Sequence, residues 1–158
     1  MGTKFSYLSK YALLTFLFFG TVLLSCKKEE VRQTVDKKEL LSNKWAVSDV
    51  KNAEGISVIN LPVPKIVCLK DNIFTLNADN SYAIEEGEEI CDPSSAGTGT
   101  WNLSTDEKTL QFNPSVGDEP LIFDLLEVTS TTLRIAYLLT DSGIPAADGT
   151  YTIILSKS

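Results

Sequence analysis

Between Trp45 and Leu155 the chain changes character about every ten residues, and that rhythm constrains the fold more than any other feature. Short runs rich in β-branched and aromatic residues alternate with turn-forming residues. The runs are Trp45 to Val50, Ile73 to Asn77, Ser81 to Glu85, Thr98 to Leu103, Thr109 to Asn113, Leu121 to Val128, Thr132 to Leu139 and Tyr151 to Leu155. Alternation is clearest where Leu133, Ile135, Tyr137 and Leu139 share one face, and where Tyr151, Ile153 and Leu155 do the same. Ala78-Asp79-Asn80 between two runs is hairpin chemistry. No helical period separates the runs, which excludes parallel βαβ units. The pattern predicts an all-β fold of about eight antiparallel strands, and an up-and-down barrel of that size removes its exposed edges by closing. One helix is expected, a turn or two long, because Asp36 followed three residues on by Glu39 is a capping box ahead of Leu40 and Leu41. Lys51 to Ile66, with Gly55, Pro62 and Pro64, reads as a long irregular loop.

The N-terminal segment belongs to a different logic. Lys4 and Lys10 precede an almost continuous apolar stretch from Tyr11 to Leu24, broken only by Thr15, Gly20 and Thr21. This is the length of a secretory h-region, whereas a spanning helix needs about 20 apolar residues and Lys10 and Lys27 bracket too few. The closing Leu23-Leu24-Ser25-Cys26 resembles the lipobox of bacterial lipoproteins, although Leu24 is bulkier than the usual small residue. The resemblance implies a diacylated Cys26 with cleavage before it. It divides the chain into a signal peptide (1–25), a lipid-anchored tether (26–35) and a folded domain (36–158). Two acyl chains suffice for stable membrane attachment. Lys27 follows the cysteine where inner-membrane lipoproteins carry Asp, which favours the outer membrane. Cys26-Lys27-Lys28-Glu29-Glu30 is also similar to the acidic export signal of surface lipoproteins in Bacteroidetes. The expected location is therefore the outer membrane, lipid-anchored and at the cell surface.

Charge narrows the partners. The chain carries 14 basic and 21 acidic residues; the first 25 hold two lysines and no acid, so their removal moves the net charge from −7 to −9. Nucleic acid needs a basic face and is not an expected partner. Three cysteines are an odd number for an exported chain. Lipidation of Cys26 leaves Cys68 and Cys91, and an oxidising compartment favours pairing them. Free or metal-binding thiols are the competing reading, but no histidine and no Cys-x-x-Cys spacing completes a zinc site.

Several residue groups, in order, resemble one family. Leu40-Leu41 with Trp45, Cys68-Leu-Lys-Asp71, Phe74-Thr-Leu-Asn-Ala-Asp-Asn-Ser-Tyr82, Cys91, Gly99-Thr-Trp101, Thr109-Leu110 and Tyr151-Thr-Ile-Ile-Leu155 are similar to the lipocalin-like domain lipoproteins of Bacteroidetes. The resemblance covers essentially the whole mature chain. It implies an antiparallel lipocalin-like barrel with a disulfide between Cys68 and Cys91, in a family mostly without assigned function. Lipocalins proper carry Gly-x-Trp in the first strand, and here Asn43 stands in the glycine's place before Trp45. That departure weakens the transfer of small-ligand transport from them.

Function is less constrained than fold. Without histidine no Ser-His-Asp or Cys-His arrangement exists, and no spacing singles out a carboxylate pair, so neither an enzyme nor a cofactor is expected. Glu85, Glu86, Glu88, Glu89 and Asp92 lack the spacing of a calcium loop and read as a solvated turn. Tyr82, Trp101, Phe112, Phe123 and Tyr137 are the candidate ligand-binding residues, because they sit in strands that line the barrel. An eight-stranded interior is either filled by side chains or just wide enough for one small ligand, and both readings use these residues; the packed core is the plainer expectation. Trp45 is expected to plug one end. The partners expected are the membrane, through the anchor, and either a small apolar or amphipathic ligand or an envelope protein. A protein partner would meet Ile56 to Val63 and Ile144 to Ala147, while Lys51 to Ile66 could serve equally as a lid.

Overall fold

A computed structural model of the chain describes residues 36–62, 64–117, 119–140 and 148–158. The segments expected to be signal peptide and tether, with Cys26, lie outside these residues, as do Val63 and the 144–147 half of the expected contact surface. The elements are α1 (Lys37–Leu41), β1 (Lys44–Lys51), α2 (Pro64–Val67), β2 (Ile73–Leu76), β3 (Ser81–Glu85), β4 (Gly97–Leu103), β5 (Thr109–Pro114), β6 (Leu121–Val128), β7 (Thr132–Leu139) and β8 (Gly149–Lys157). Each strand pairs antiparallel with the next, and β8 returns to β1, so the eight strands form a closed up-and-down barrel. The barrel lies within Thr34–Ser158, one compact unit that contains its whole core.

Up-and-down order sorts the connections into two ends. At one end are the β2–β3, β4–β5 and β6–β7 turns, together with α1 and the C-terminus. These turns are tight: Asn80 N–H donates to Asn77 O, Glu107 N–H to Ser104 O, and Thr129 N–H to Thr132 O. Asn80 and Glu107 take positive φ values of 70° and 56° to make them. The other end carries the long connections β1–β2, β3–β4, β5–β6 and β7–β8.

The tight end is plugged. Asp36 caps α1 by accepting a 2.9 Å hydrogen bond from Lys38 N–H, so the expected N-cap forms, one residue before the Glu39 N–H that a capping box would use. The helix buries Leu41 fully. Trp45, also fully buried, donates its indole N–H to Leu41 O at 2.9 Å. The four-residue spacing of Leu41 and Trp45 is therefore a plug closed by its own hydrogen bond. Trp101 does the same work from β4, donating to Asn77 O at 3.0 Å. Leu76, Leu110, Phe112, Ile135 and Leu155 belong to the same core cluster as the two indoles and are almost fully buried.

Two local features differ from the sequence reading. The stretch read as irregular contains α2, a single turn that buries Ile66 and carries Cys68 into the barrel mouth. Its first part turns back antiparallel on the end of β1, where Val58 N–H donates to Val50 O at 2.8 Å and Val58 is buried. Register irregularities in β1 between Val47 and Asp49, and in β6 between Leu125 and Glu127, bend those strands around the barrel.

Candidate functional site

The inward face of β4 decides what the loop end of the barrel contains. Alternation from the buried Trp101 puts Gly99 and Gly97 on the same inward face, and the register sets them opposite Tyr82 and Ile84 of β3. Two successive inward positions therefore carry no side chain. At Gly99 the Tyr82 ring and the Asn113 carbonyl take the space, so a Cβ there would collide with both. At Gly97 nothing lies within 4 Å of where a Cβ would be. On β5 the next inward position after Phe112 is Pro114, again compact.

The result is a cavity of about 410 Å³ in the loop half of the barrel. Phe74, Tyr82, Ile84, Phe123, Tyr137 and Ile153 form its walls. The volume falls in the lower part of the range of roughly 300–1,000 Å³ typical of small-molecule sites. The expectation of a fully packed interior is thus corrected: the barrel is solid around the two indoles and hollow above them.

This division also separates the five aromatics singled out from the sequence. Tyr82, Phe123 and Tyr137 line the cavity. Trp101 and Phe112 do not; they are buried below it. Phe112 packs behind the lining, with its ring edge-on to Phe74, Tyr82 and Phe123 at centroid distances of 6.4, 5.0 and 5.4 Å. Such edge-to-face packing matches ring edges to ring faces and orients the walls as well as filling space. Tyr137 leans on Phe123 at 5.2 Å. Tyr151 and Leu139 also line the cavity, and the alternation of β7 and β8 had marked their inward face without giving their height.

The mouth is fastened on one side. The β1–β2 and β3–β4 loops are joined by the Cys68–Cys91 disulfide, which confirms the expected pairing. With a sequence separation of 23, it stabilises the fold by about 3 kcal/mol in the chain-entropy account. Three further links run between the same loops. Asn72 donates its side-chain amide to Ser95 Oγ at 2.8 Å, and Asp71 accepts from the Glu88 and Glu89 amides at 2.6 and 3.2 Å. Lys70 pairs with Glu89 at 3.2 Å. Gly87 packs so closely on Asp71 that a side chain there would displace the carboxylate.

Glu86 shapes the loop that carries Cys91. Its carboxylate accepts from Ser94 Oγ at 2.7 Å, Ser95 N–H at 2.7 Å, Ser95 Oγ at 2.8 Å and Cys91 N–H at 3.1 Å. Partial desolvation pushes the carboxyl up, but the hydrogen bonds from Ser94, Ser95 and Cys91 outweigh it and hold the pKa at about 2, against an ordinary 4.5. The acidic run is therefore partly structural, and the sequence reading of a merely solvated turn missed the role of Glu86. Among the described residues, no group of three or more Cys, Asp or Glu side chains is placed to hold a metal ion.

Around the mouth the described loops expose apolar side chains. Ile56 and Leu61 stand on β1–β2, Ile90 on β3–β4 and Val116 on β5–β6, the last two being 72% and 82% exposed.

No protein-family model and no curated protein matches the chain. Among solved structures it is similar to a protein from Bacteroides uniformis determined by NMR, with 20% identity over 76% of this chain and 90% of that one, and a TM-score of 0.45. It is also similar to a lipocalin-like protein from Bacteroides uniformis, with 14% identity over 75% of this chain and 99% of that one, and again a TM-score of 0.45. The closed eight-stranded barrel stands on the chain's own strand pairings.

Proposed function

We propose that the protein is a lipid-anchored envelope protein whose barrel binds a small apolar or amphipathic ligand without chemical turnover. The observation that carries this reading is the hollow half of the barrel. A cavity of about 410 Å³ walled by Phe74, Tyr82, Ile84, Phe123, Tyr137 and Ile153 stands open in a fold whose other half is packed solid. Apolar surface left uncovered in this way forgoes stabilisation of about 25 cal/mol per Å² that an occupant would restore. The lipid anchor rests on the sequence alone: the basic start, the apolar stretch and Leu23-Leu24-Ser25-Cys26. The alternative of an interaction platform draws support from the exposed Ile56, Leu61, Ile90 and Val116 around the mouth. A fully packed core, which that alternative assumed, is not what the barrel contains.

Gly97 provides the decisive test. A side chain there enters open space, so Gly97→Phe should obstruct the cavity without disturbing the wall. Nile red, a neutral apolar dye, should brighten and shift to the blue with the unsubstituted barrel and should fail to do so with Gly97→Phe at equal thermal stability. Equal dye binding by both proteins would place the dye elsewhere and overturn the carrier reading.

A further inference from the structure

Among the described residues that line the cavity, the charge is one-sided. Ser94 and Ser95 reach the lining, but both hydroxyls already donate to Glu86. Among the described residues, the charged ones at the lining are Asp92, on the β3–β4 loop, and Glu119, on the β5–β6 loop. Both are exposed, and neither is engaged by a described lysine or arginine. No lysine or arginine is among the described lining residues. Lys70, on the neighbouring β1–β2 loop, is held by Glu89. The two carboxylates thus face one opening from different loops, above walls of Tyr82, Phe123 and Tyr137.

We propose that the cavity selects an amphipathic ligand with a cationic head: an apolar chain seated among the aromatic rings and an ammonium held at the mouth by Asp92 and Glu119. This rests on the carrier reading and specifies its ligand class. Three physical effects converge on it. The carboxylates attract a cation and repel the head of a fatty acid or other anionic amphiphile, and the low-dielectric wall beside them strengthens both effects. The faces of Phe123 and Tyr137 favour a cation over an anion through their ring quadrupoles. A head at the mouth stays partly hydrated, so it escapes most of the cost of burying a charge. The size of the cavity limits the chain to a short one.

The test uses the barrel unit, Thr34–Ser158, titrated at neutral pH with octylamine, octanol and octanoate and followed by NMR shifts of the Ile84, Leu139 and Ile153 methyl groups. The three probes share a chain and differ in head charge. Octylamine should bind about tenfold more tightly than octanoate, with octanol between them, and the gap should narrow as salt is added. In the double variant Asp92→Asn with Glu119→Gln, the gap should shrink to about threefold or less while octanol affinity stays within about twofold, since only charge has been removed. Octanol binding with no preference between amine and acid would overturn the charge selection and leave the carrier reading intact. A preference that survives the double variant would overturn the assignment to Asp92 and Glu119. Failure of all three probes to shift the wall methyls would overturn both.

Discussion

Phe112→Ala should be among the most damaging single changes in the barrel, and the reason lies in its position between a packed half and a hollow one. The ring is 2% exposed and touches Phe74, Tyr82 and Phe123 edge to face. Truncating a buried phenylalanine costs about 3–5 kcal/mol from lost transfer energy and the void left behind. The upper part of that range applies here, because the indole of Trp101 and the pinned β4 backbone below cannot collapse into the gap. With a urea slope of about 2 kcal/mol per molar, a loss of about 4 kcal/mol lowers the unfolding midpoint by about 2 M. Tyr137→Ala provides the contrast. Its ring already borders the cavity and packs on one aromatic neighbour, so its removal makes little new void and should cost about 1–2 kcal/mol. Urea titration followed by the fluorescence of Trp45 and Trp101, both in the packed half, reports each midpoint. Equal losses for the two variants, or a loss below about 1.5 kcal/mol for Phe112→Ala, would refute the division of the barrel into a solid and a hollow half.

Two other predictions concern the mouth and the anchor. Because the folded Glu86 carboxyl sits at about 2 against 4.5, its contribution to stability is complete above 4.5 and fades as pH falls toward 2. Urea midpoints of the parent and Glu86→Gln should therefore differ most near neutrality and converge in acid; a gap that stays constant down to pH 2 would mean that the carboxylate does not stabilise the loop. Cys26→Ser should move the protein from the membrane fraction to the soluble fraction of the envelope, and retention in the membrane would remove the lipid-anchor reading.

The strands were legible because alternation and turn chemistry act locally. All eight runs read from the sequence became strands, with β1, β4, β5 and β8 extended by a residue or two and β2 one residue shorter. The β1–β8 pairing that closes the barrel leaves no sequence signal of its own. The turn of α2 left no period to read: four residues beginning with a proline cannot show one, and Ile66 is buried through tertiary packing. The candidate site was half legible. Alternation assigned Tyr82, Trp101, Phe112, Phe123 and Tyr137 to the inner face, but a two-residue period says nothing about height along the barrel axis. Height depends on the stagger between strands, which placed Phe112 under the cavity and Tyr137 beside it. The hollow itself had a sequence signal in Gly97-Thr98-Gly99, where two inward positions in succession lack side chains; it becomes readable only once Trp101 sets the face.

The two ends of the barrel solve opposite problems with the same strands. At the tight end, short turns let α1 lie across the opening, and two indole hydrogen bonds to backbone carbonyls make the plug specific as well as apolar. A solid half of this kind can supply stability while the other half forgoes it, which is the condition for an empty binding chamber to persist. At the loop end, a hollow wall with long connections would close or fray if the loops were free. The disulfide, the Asp71 and Asn72 hydrogen bonds and the Glu86 network are concentrated on the two loops that follow β1 and β3. They hold one lip of the mouth fixed and place Asp92 on it, next to Cys91. Glu119 sits on the facing loop, with no comparable fastening among the described residues. A ligand head bridging the two carboxylates would draw a less fastened lip toward a fixed one, so ligand occupancy should show first as protection of the β5–β6 loop from hydrogen exchange and only weakly at Cys91.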